Sequence, residues 1–183
     1  MFKYYLMRKI VYYVATSIDG YIEGPNQSIE KFIHQEDIVD HYKDDLQNFD
    51  TIIMGRNTYE FGYNYGLVPG QPAYPHMQHY IFSETLHFEN PHEKIHVVNQ
   101  DIEIVKDLKT ETGTDIYLCG GGIFAGWLLE NELIDVLKIK LNPIILGSGT
   151  PLFGPSGKSL FLEFIDGIDF QNGFKMLNYN IKY

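Results

Sequence analysis

The chain has 183 residues and a formal net charge of −10, with no run of Lys or Arg; this balance repels a phosphate backbone and sets nucleic acid aside as a partner. Apolar residues at 44% and charged residues at 21% are the proportions of a globular protein rather than a disordered one. A single cysteine, Cys119, excludes an intrachain disulfide, and Lys3, Arg8 and Lys9 break the apolar N-terminal stretch, leaving residues 10–15 too short for a signal-peptide core or a membrane span.

The expectation is therefore a cytoplasmic protein of one domain over residues 1–183, with residues 1–8 as an N-terminal extension. Tyr and Phe are abundant, at 14 and 12. Buried tyrosine hydroxyls need partners, so many of these side chains are expected at rims and interfaces.

In chain order, residues 10–16 form a β-branched and aromatic run stopped by Asp19-Gly20, a strand followed by a turn. Residues 36–49 carry Ile38, Tyr42, Leu46 and Phe49 near helical spacing. Short apolar strands follow at 51–54, 80–82 and 95–98, then a helix at 102–109, a strand at 116–119 and a helix at 123–129. In residues 137–141 apolar positions alternate with Lys138 and Lys140, as in a strand with one exposed face. Residues 160–165 are strand-like, and Asn172-Gly173 marks a closing β-hairpin. Alternating strands and helices through the first three quarters predict a mainly parallel sheet covered by helices.

Two strand-to-helix junctions carry the chemical signal. In the first, Gly55-Arg56-Asn57-Thr58-Tyr59-Glu60, Asn57 or Thr58 is expected to cap the helix, with Glu60 completing a capping box and Arg56 at the cationic mouth. In the second, Cys119-Gly120-Gly121-Gly122 runs straight into a helix, so the backbone can approach a ligand closely while unpaired N–H groups face it. A glycine turn that merely packs helix on sheet explains the second junction alone almost as well. Two such junctions in one α/β sheet favour an anion site.

These segments resemble the dihydrofolate reductases, and especially the reductase domain of bacterial riboflavin biosynthesis, from about residue 9 to residue 183. The signposts are Ala15-Thr16-Ser17-Ile18-Asp19-Gly20-Tyr21-Ile22, the two junctions, Leu133-Ile134-Asp135 and Pro143-Ile144-Ile145-Leu146-Gly147 with Gly149 and Pro151-Leu152-Phe153 after it. The resemblance implies a three-layer α/β fold with antiparallel C-terminal strands, and a reductase that carries hydride from NADPH to a pteridine, pyrimidine or riboflavin-precursor ring. Val14, Ala15 and Ile22 would border the nicotinamide. Gly55, Arg56, Asn57 and Thr58 would hold the phosphates from one side, and Gly120, Gly121, Gly122, Ile123 and Phe124 from the other. Phe82 and Ser83 would flank the adenosine.

Two departures stand out. Relatives often place a basic residue after the serine, facing the cofactor's 2′-phosphate, whereas Glu84 stands here. A carboxylate roughly 5 Å from a phosphate costs about 3 kcal/mol per unit charge at an effective dielectric near 20, which brings NADH into consideration. The substrate-side acid has no secure counterpart either. Asp37 and Asp40 lie in the right region, and a solvated helix face accounts for both; Asp19 is read as shaping its turn. The alternative function is a dinucleotide- or ligand-binding protein of the same fold without reductase activity.

Gly154-Pro155-Ser156-Gly157-Lys158-Ser159 has two residues between its glycines where a P-loop has four, and a strand-like run follows it. His76 and His79 lack a nearby Cys or acidic partner, so no metal is expected. Cys119 reads as a small buried residue. Leu177, Tyr179, Ile181 and Tyr183 alternate at the end of the chain, and an open aromatic face there predicts a homodimer. In the competing arrangement Phe2, Tyr4, Tyr5 and Leu6 fold back over it.

Overall fold

The computed structural model describes residues 7–183; the segment with Phe2, Tyr4, Tyr5 and Leu6 lies outside them. Ten strands and four helices follow in the order β1 (Ile10–Thr16), β2 (Tyr21–Glu23), α1 (Glu36–Leu46), β3 (Thr51–Gly55), α2 (Arg56–Phe61), β4 (Gln78–Phe82), β5 (Ile95–Val98), α3 (Ile102–Thr110), β6 (Ile116–Gly120), α4 (Gly122–Glu130), β7 (Val136–Leu141), β8 (Thr150–Pro151), β9 (Phe161–Asp169) and β10 (Lys175–Lys182). Eight of the strands form one sheet in the order β5-β4-β3-β6-β1-β7-β10-β9. The first six of that order run parallel, while β10 is antiparallel to both β7 and β9. This is the expected parallel sheet with antiparallel C-terminal strands.

Period-two alternation sends each strand's side chains into two cores. Ile10, Tyr12 and Val14 of β1 and Ile53 of β3 pack with Val105 and Leu108 of α3 and with Phe124, Leu128 and Leu129 of α4. Val11, Tyr13, Ile52 and Met54 point the other way, towards Leu46 of α1 and Tyr59 of α2. The tyrosines depart from the expected rims. Tyr12, Tyr13, Tyr59 and Tyr117 are almost wholly buried, because each hydroxyl finds a partner inside. Tyr12 donates to the Leu152 carbonyl at 2.9 Å, Tyr13 to Asp45 at 2.9 Å and Tyr59 to the Gln71 carbonyl at 2.7 Å, while Tyr117 bonds Tyr42 at 2.6 Å.

Helix boundaries also differ from the sequence pattern. α1 stops at Leu46 because the N–H groups of Gln47, Asn48 and Phe49 reach back three residues instead of four, tightening the chain into a turn. Phe49 stays buried, so its apolar spacing outlasts the helix. α2 begins at Arg56, with Gly55 as its N-cap in place of Asn57 or Thr58 and no side-chain cap. Glu60 therefore closes no capping box and bonds Arg56 Nε at 2.9 Å. At the far end Gly173, with φ +83°, turns the β9–β10 hairpin, and the Asn172 side chain accepts the Phe174 N–H at 3.0 Å. No helix among the described residues is long and apolar enough to cross a membrane.

α4 lies against the segment after β8 through two glycines. A Cβ at Gly122 would collide with the Pro151 carbonyl oxygen, and one at Gly126 with that of Phe153. These glycines serve close packing of helix on loop. Gly126→Ala is expected to lower stability by about 1–3 kcal/mol, since a backbone carbonyl has no rotamer with which to yield. Denaturant unfolding checks it, and an unchanged midpoint would show that the loop moves aside freely.

Candidate active site

Parallel pairing brings the carboxyl ends of β1, β3, β4, β6 and β7 to one edge of the sheet, where open α/β sheets bind their ligands. A cavity of about 670 Å³ lies there. Val14, Ala15, Ile22, Gly55, Arg56, Asn57, Thr58, Phe82, Gly121, Gly122, Ile123 and Phe124 all line it. The two junctions face each other across its mouth. A Cβ at Gly121 would stand 3.2 Å from Thr58 Oγ1, and one at Gly55 would stand 3.3 Å from Phe124 Cβ. The wall between them is therefore backbone, backed by Phe82, Phe124 and Trp127, whose rings lie 4.8–6.3 Å apart.

Ser83 and Gly120 do not line the cavity. The Ser83 hydroxyl accepts the N–H groups of Thr85 at 3.2 Å and Leu86 at 3.0 Å, which shapes the turn after β4. Gly120 precedes a cis peptide bond to Gly121. Glu84 accepts the Gln100 N–H at 3.0 Å and is likewise not among the lining residues. Arg56 reaches from its bond with Glu60 to Thr85 Oγ1 at 2.9 Å, joining α2 to the same turn.

Asp37 and Asp40 also stay outside. Asp37 accepts the N–H of Ile38 at 2.9 Å, Asp40 lies 3.6 Å from Lys43, and both face solvent. Asp19 behaves as its turn suggests: its carboxylate accepts the N–H groups of Leu146 at 3.0 Å and Gly147 at 2.7 Å. The Ser17 hydroxyl, with those two amides adding to it, holds Asp19 down at about 2. The buried His79 accepts the Tyr74 N–H at 3.2 Å and lies 3.0 Å from the Met77 carbonyl through its other ring nitrogen; desolvation pulls it down to about 4. His76 bonds the Leu46 carbonyl at 3.0 Å.

The other half of the cavity holds side chains that the sequence reading missed. Tyr13, Tyr42, Tyr117, Cys119, Lys140 and Glu23 all line it. Lys140 was expected on an exposed strand face, yet that face of β7 lies under α1. Lys140 Nζ sits 3.4 Å from the centroid of the Tyr42 ring and 5.5 Å from that of Tyr13. Its neighbour Lys138 takes Asp45 at 2.5 Å. Burial, partly offset by the Cys119 thiol, pulls Lys140 down to about 8, and burial pushes Cys119 up. Glu23 accepts a hydrogen bond from the Thr150 hydroxyl at 2.6 Å. The alternating pattern of β7 carried the relevant signal, since two lysines on one face opposite the acidic helix α1 point to that helix as their cover.

A parallel-sheet α/β domain with an antiparallel C-terminal hairpin and its crevice at the strand carboxyl ends has the reductase fold of the dihydrofolate-reductase type. The chain belongs to the RibD C-terminal domain family, whose model matches residues 8–175. It is 34% identical over 152 residues to the uncharacterized protein YwjB of Bacillus subtilis, covering 80% of this chain and 83% of that one. Among solved structures it is similar to a protein assigned to riboflavin biosynthesis from Shewanella sp. PV-4, with 26% identity, a TM-score of 0.78 and coverage of 97% of this chain and all 100% of the other. It shares the fold of Enterococcus faecalis dihydrofolate reductase complexed with NADP(H), with 15% identity, a TM-score of 0.66 and coverage of 96% and 97%.

The depressed Lys140 makes a prediction about stability. Its ordinary value near 10.5 falls to about 8 in the folded chain, so between those values the unfolded state binds more protons and stability rises with pH. Below pH 8 the charge costs on the order of 3 kcal/mol. Lys140→Met is therefore expected to be more stable than the wild type at pH 7, with the difference shrinking as pH approaches 10.5. Thermal unfolding of both proteins across that range checks the sign, and a less stable variant at pH 7 would overturn it.

Proposed function

We propose that the protein is a nicotinamide-dependent reductase acting on a small heterocyclic substrate. One observation carries this reading: two glycine-bearing strand-to-helix junctions converge across one cavity at the carboxyl edge of a parallel sheet. Gly121 and Thr58 approach each other closely in the cavity wall, and the start of α4 would offer a diphosphate N–H donors and a partial positive charge. Val14, Ala15 and Ile22 would border the nicotinamide, which supplies the hydride when bound. Gly55, Arg56, Asn57 and Thr58 would hold the phosphates from one side, and Gly121, Gly122, Ile123 and Phe124 from the other. The chain contributes orientation and a dry, apolar wall.

Arg56 lines the cavity while Glu84 is engaged by the Gln100 amide, which supports NADPH over NADH. The solved dihydrofolate reductase of this fold is complexed with NADP(H). The absence of Asp37 and Asp40 from the cavity favours a second reading, a dinucleotide-binding protein without turnover.

Fluorescence of Trp127, the only tryptophan and part of the Phe82–Phe124 wall, is expected to change on titration with NADPH, and less steeply with NADH. Gly121→Asp should remove the response while the protein still unfolds cooperatively, because Gly121 has φ −86° and the new carboxylate would stand in the cavity wall proposed to hold the phosphates. Failure of both nucleotides to bind the wild type would sink the reading.

We also infer a homodimer. Leu177 and Tyr179 are half-buried and Ile181 is buried against the α3–α4 core, while the Tyr183 hydroxyl donates to the Ile134 carbonyl at 2.9 Å. The open apolar surface is instead on the edge strand β9, where Phe161 is 87% and Phe164 58% exposed. Such an edge invites pairing with a second copy. Sedimentation equilibrium at micromolar concentration should give the dimer mass, and Phe164→Asp should shift it towards the monomer. A wild-type monomer refutes the inference.

A further inference from the structure

We propose that Lys140 is the anion-recognition residue of the substrate half of the cavity, so that the ligand seated against Tyr42 and Tyr117 carries a negatively charged oxygen, a carboxylate or an ionised ring oxygen. The proposal rests on the reductase reading only in calling that ligand a substrate.

The argument begins with a count of donors and acceptors. Among the described residues, no carboxylate or other acceptor lies within bonding range of Lys140 Nζ; its near neighbour is the face of the Tyr42 ring at 3.4 Å. A ring face attracts a cation but leaves its N–H donors unsatisfied. The one carboxylate nearby on α1, Asp45, already accepts from Tyr13 at 2.9 Å and from Lys138 at 2.5 Å. Glu23, across the cavity, is engaged by Thr150 at 2.6 Å.

The hydroxyls beside Lys140 are donors as well. Tyr42 lies 2.6 Å from the Tyr117 hydroxyl and 3.5 Å from that of Tyr74, and Cys119 lines the cavity with Tyr42 and Tyr117. Among the described residues no carbonyl or carboxylate accepts from Tyr42, Tyr74 or Tyr117. Burial pushes all three tyrosines and Cys119 up, so the four groups are neutral. A half-buried ammonium without a protein acceptor thus lines the cavity beside these hydroxyls, where an entering ligand can supply one.

The test uses matched ligand pairs that differ in charge alone: orotate with uracil, pterin-6-carboxylate with pterin, and benzoate with benzamide, measured by calorimetry at pH 7 with wild type, Lys140→Met, Lys140→Gln and Lys140→Arg. In at least one pair the wild type should hold the anion ten-fold or more tighter than its neutral partner. That preference should fall to within two-fold in both neutral variants and return in Lys140→Arg. Orotate or pterin-6-carboxylate as the favoured anion would point to a ring-bearing substrate, and benzoate alone to a simple carboxylate. No preference in any pair, or a preference that survives in a folded neutral variant, overturns the proposal. NADPH titration of the wild type is scored separately: its failure with the anion preference intact removes the cofactor reading and leaves the anion site.

Discussion

Burial of β1 on both faces is the constraint from which the rest of the molecule follows. The strand pairs in parallel with β6 on one side and β7 on the other, so its backbone is satisfied in both directions and its side chains must supply both cores. Tyr12 and Tyr13 are adjacent and therefore point to opposite layers. Tyr12 bonds the carbonyl of Leu152 at 2.9 Å, in the loop that packs on α4 beside Gly122 and Gly126. Tyr13 bonds Asp45 of α1 at 2.9 Å. Each bond contributes only about 1 kcal/mol, but together they set both walls of the cavity from one dipeptide, just before the strand ends at its floor.

The sequence disclosed what depends on local chemistry. Asn172-Gly173, the β-branched strands and the two glycine junctions are each decided within a few residues, and the junctions then meet wherever a parallel sheet gathers its carboxyl ends. What it hid depends on partners far along the chain. Ser83 resembles a ligand residue until the N–H groups of Thr85 and Leu86 claim its hydroxyl. Asn57 resembles a cap until Gly55 takes that position. Lys140 resembles a solvent-facing residue because alternation reports only that two faces differ. Which face lies under α1 is fixed by the tertiary pairing of Tyr13 with Tyr42, whose rings stand 5.0 Å apart at 84°.

The tyrosines show the same division. Composition alone sends hydroxyls to the surface, because an unpaired buried hydroxyl is costly. Here pairs such as Tyr42 with Tyr117 satisfy one another inside the α1 side of the sheet, so aromatic residues form that core and bring polar groups to the cavity with them. The α4 side is built mainly from aliphatic side chains with Tyr12, Phe82, Phe124 and Trp127, and offers backbone donors to the cavity instead. The cavity therefore has one apolar, backbone-lined half and one half rich in hydroxyls, and a ligand spanning it must be chemically asymmetric.

Lys140 is the point at which stability and local rules disagree. A chain with net charge −10 has carboxylates to spare, yet Asp37 and Asp40 stay in water, Asp45 is given to Lys138 and Tyr13, and Lys140 receives only ring faces and a thiol. A half-buried cation without a counterion is costly, and an apolar residue of similar volume would relieve the cost. Packing does not demand an ammonium there, since a methylene chain would fill the same space. The tyrosine faces lower the cost without removing it, which leaves the charge available to whatever enters from solvent. Violations of this kind concentrate where a ligand completes the structure, and a negative group arriving at Lys140 would recover the Coulomb energy that folding leaves unused.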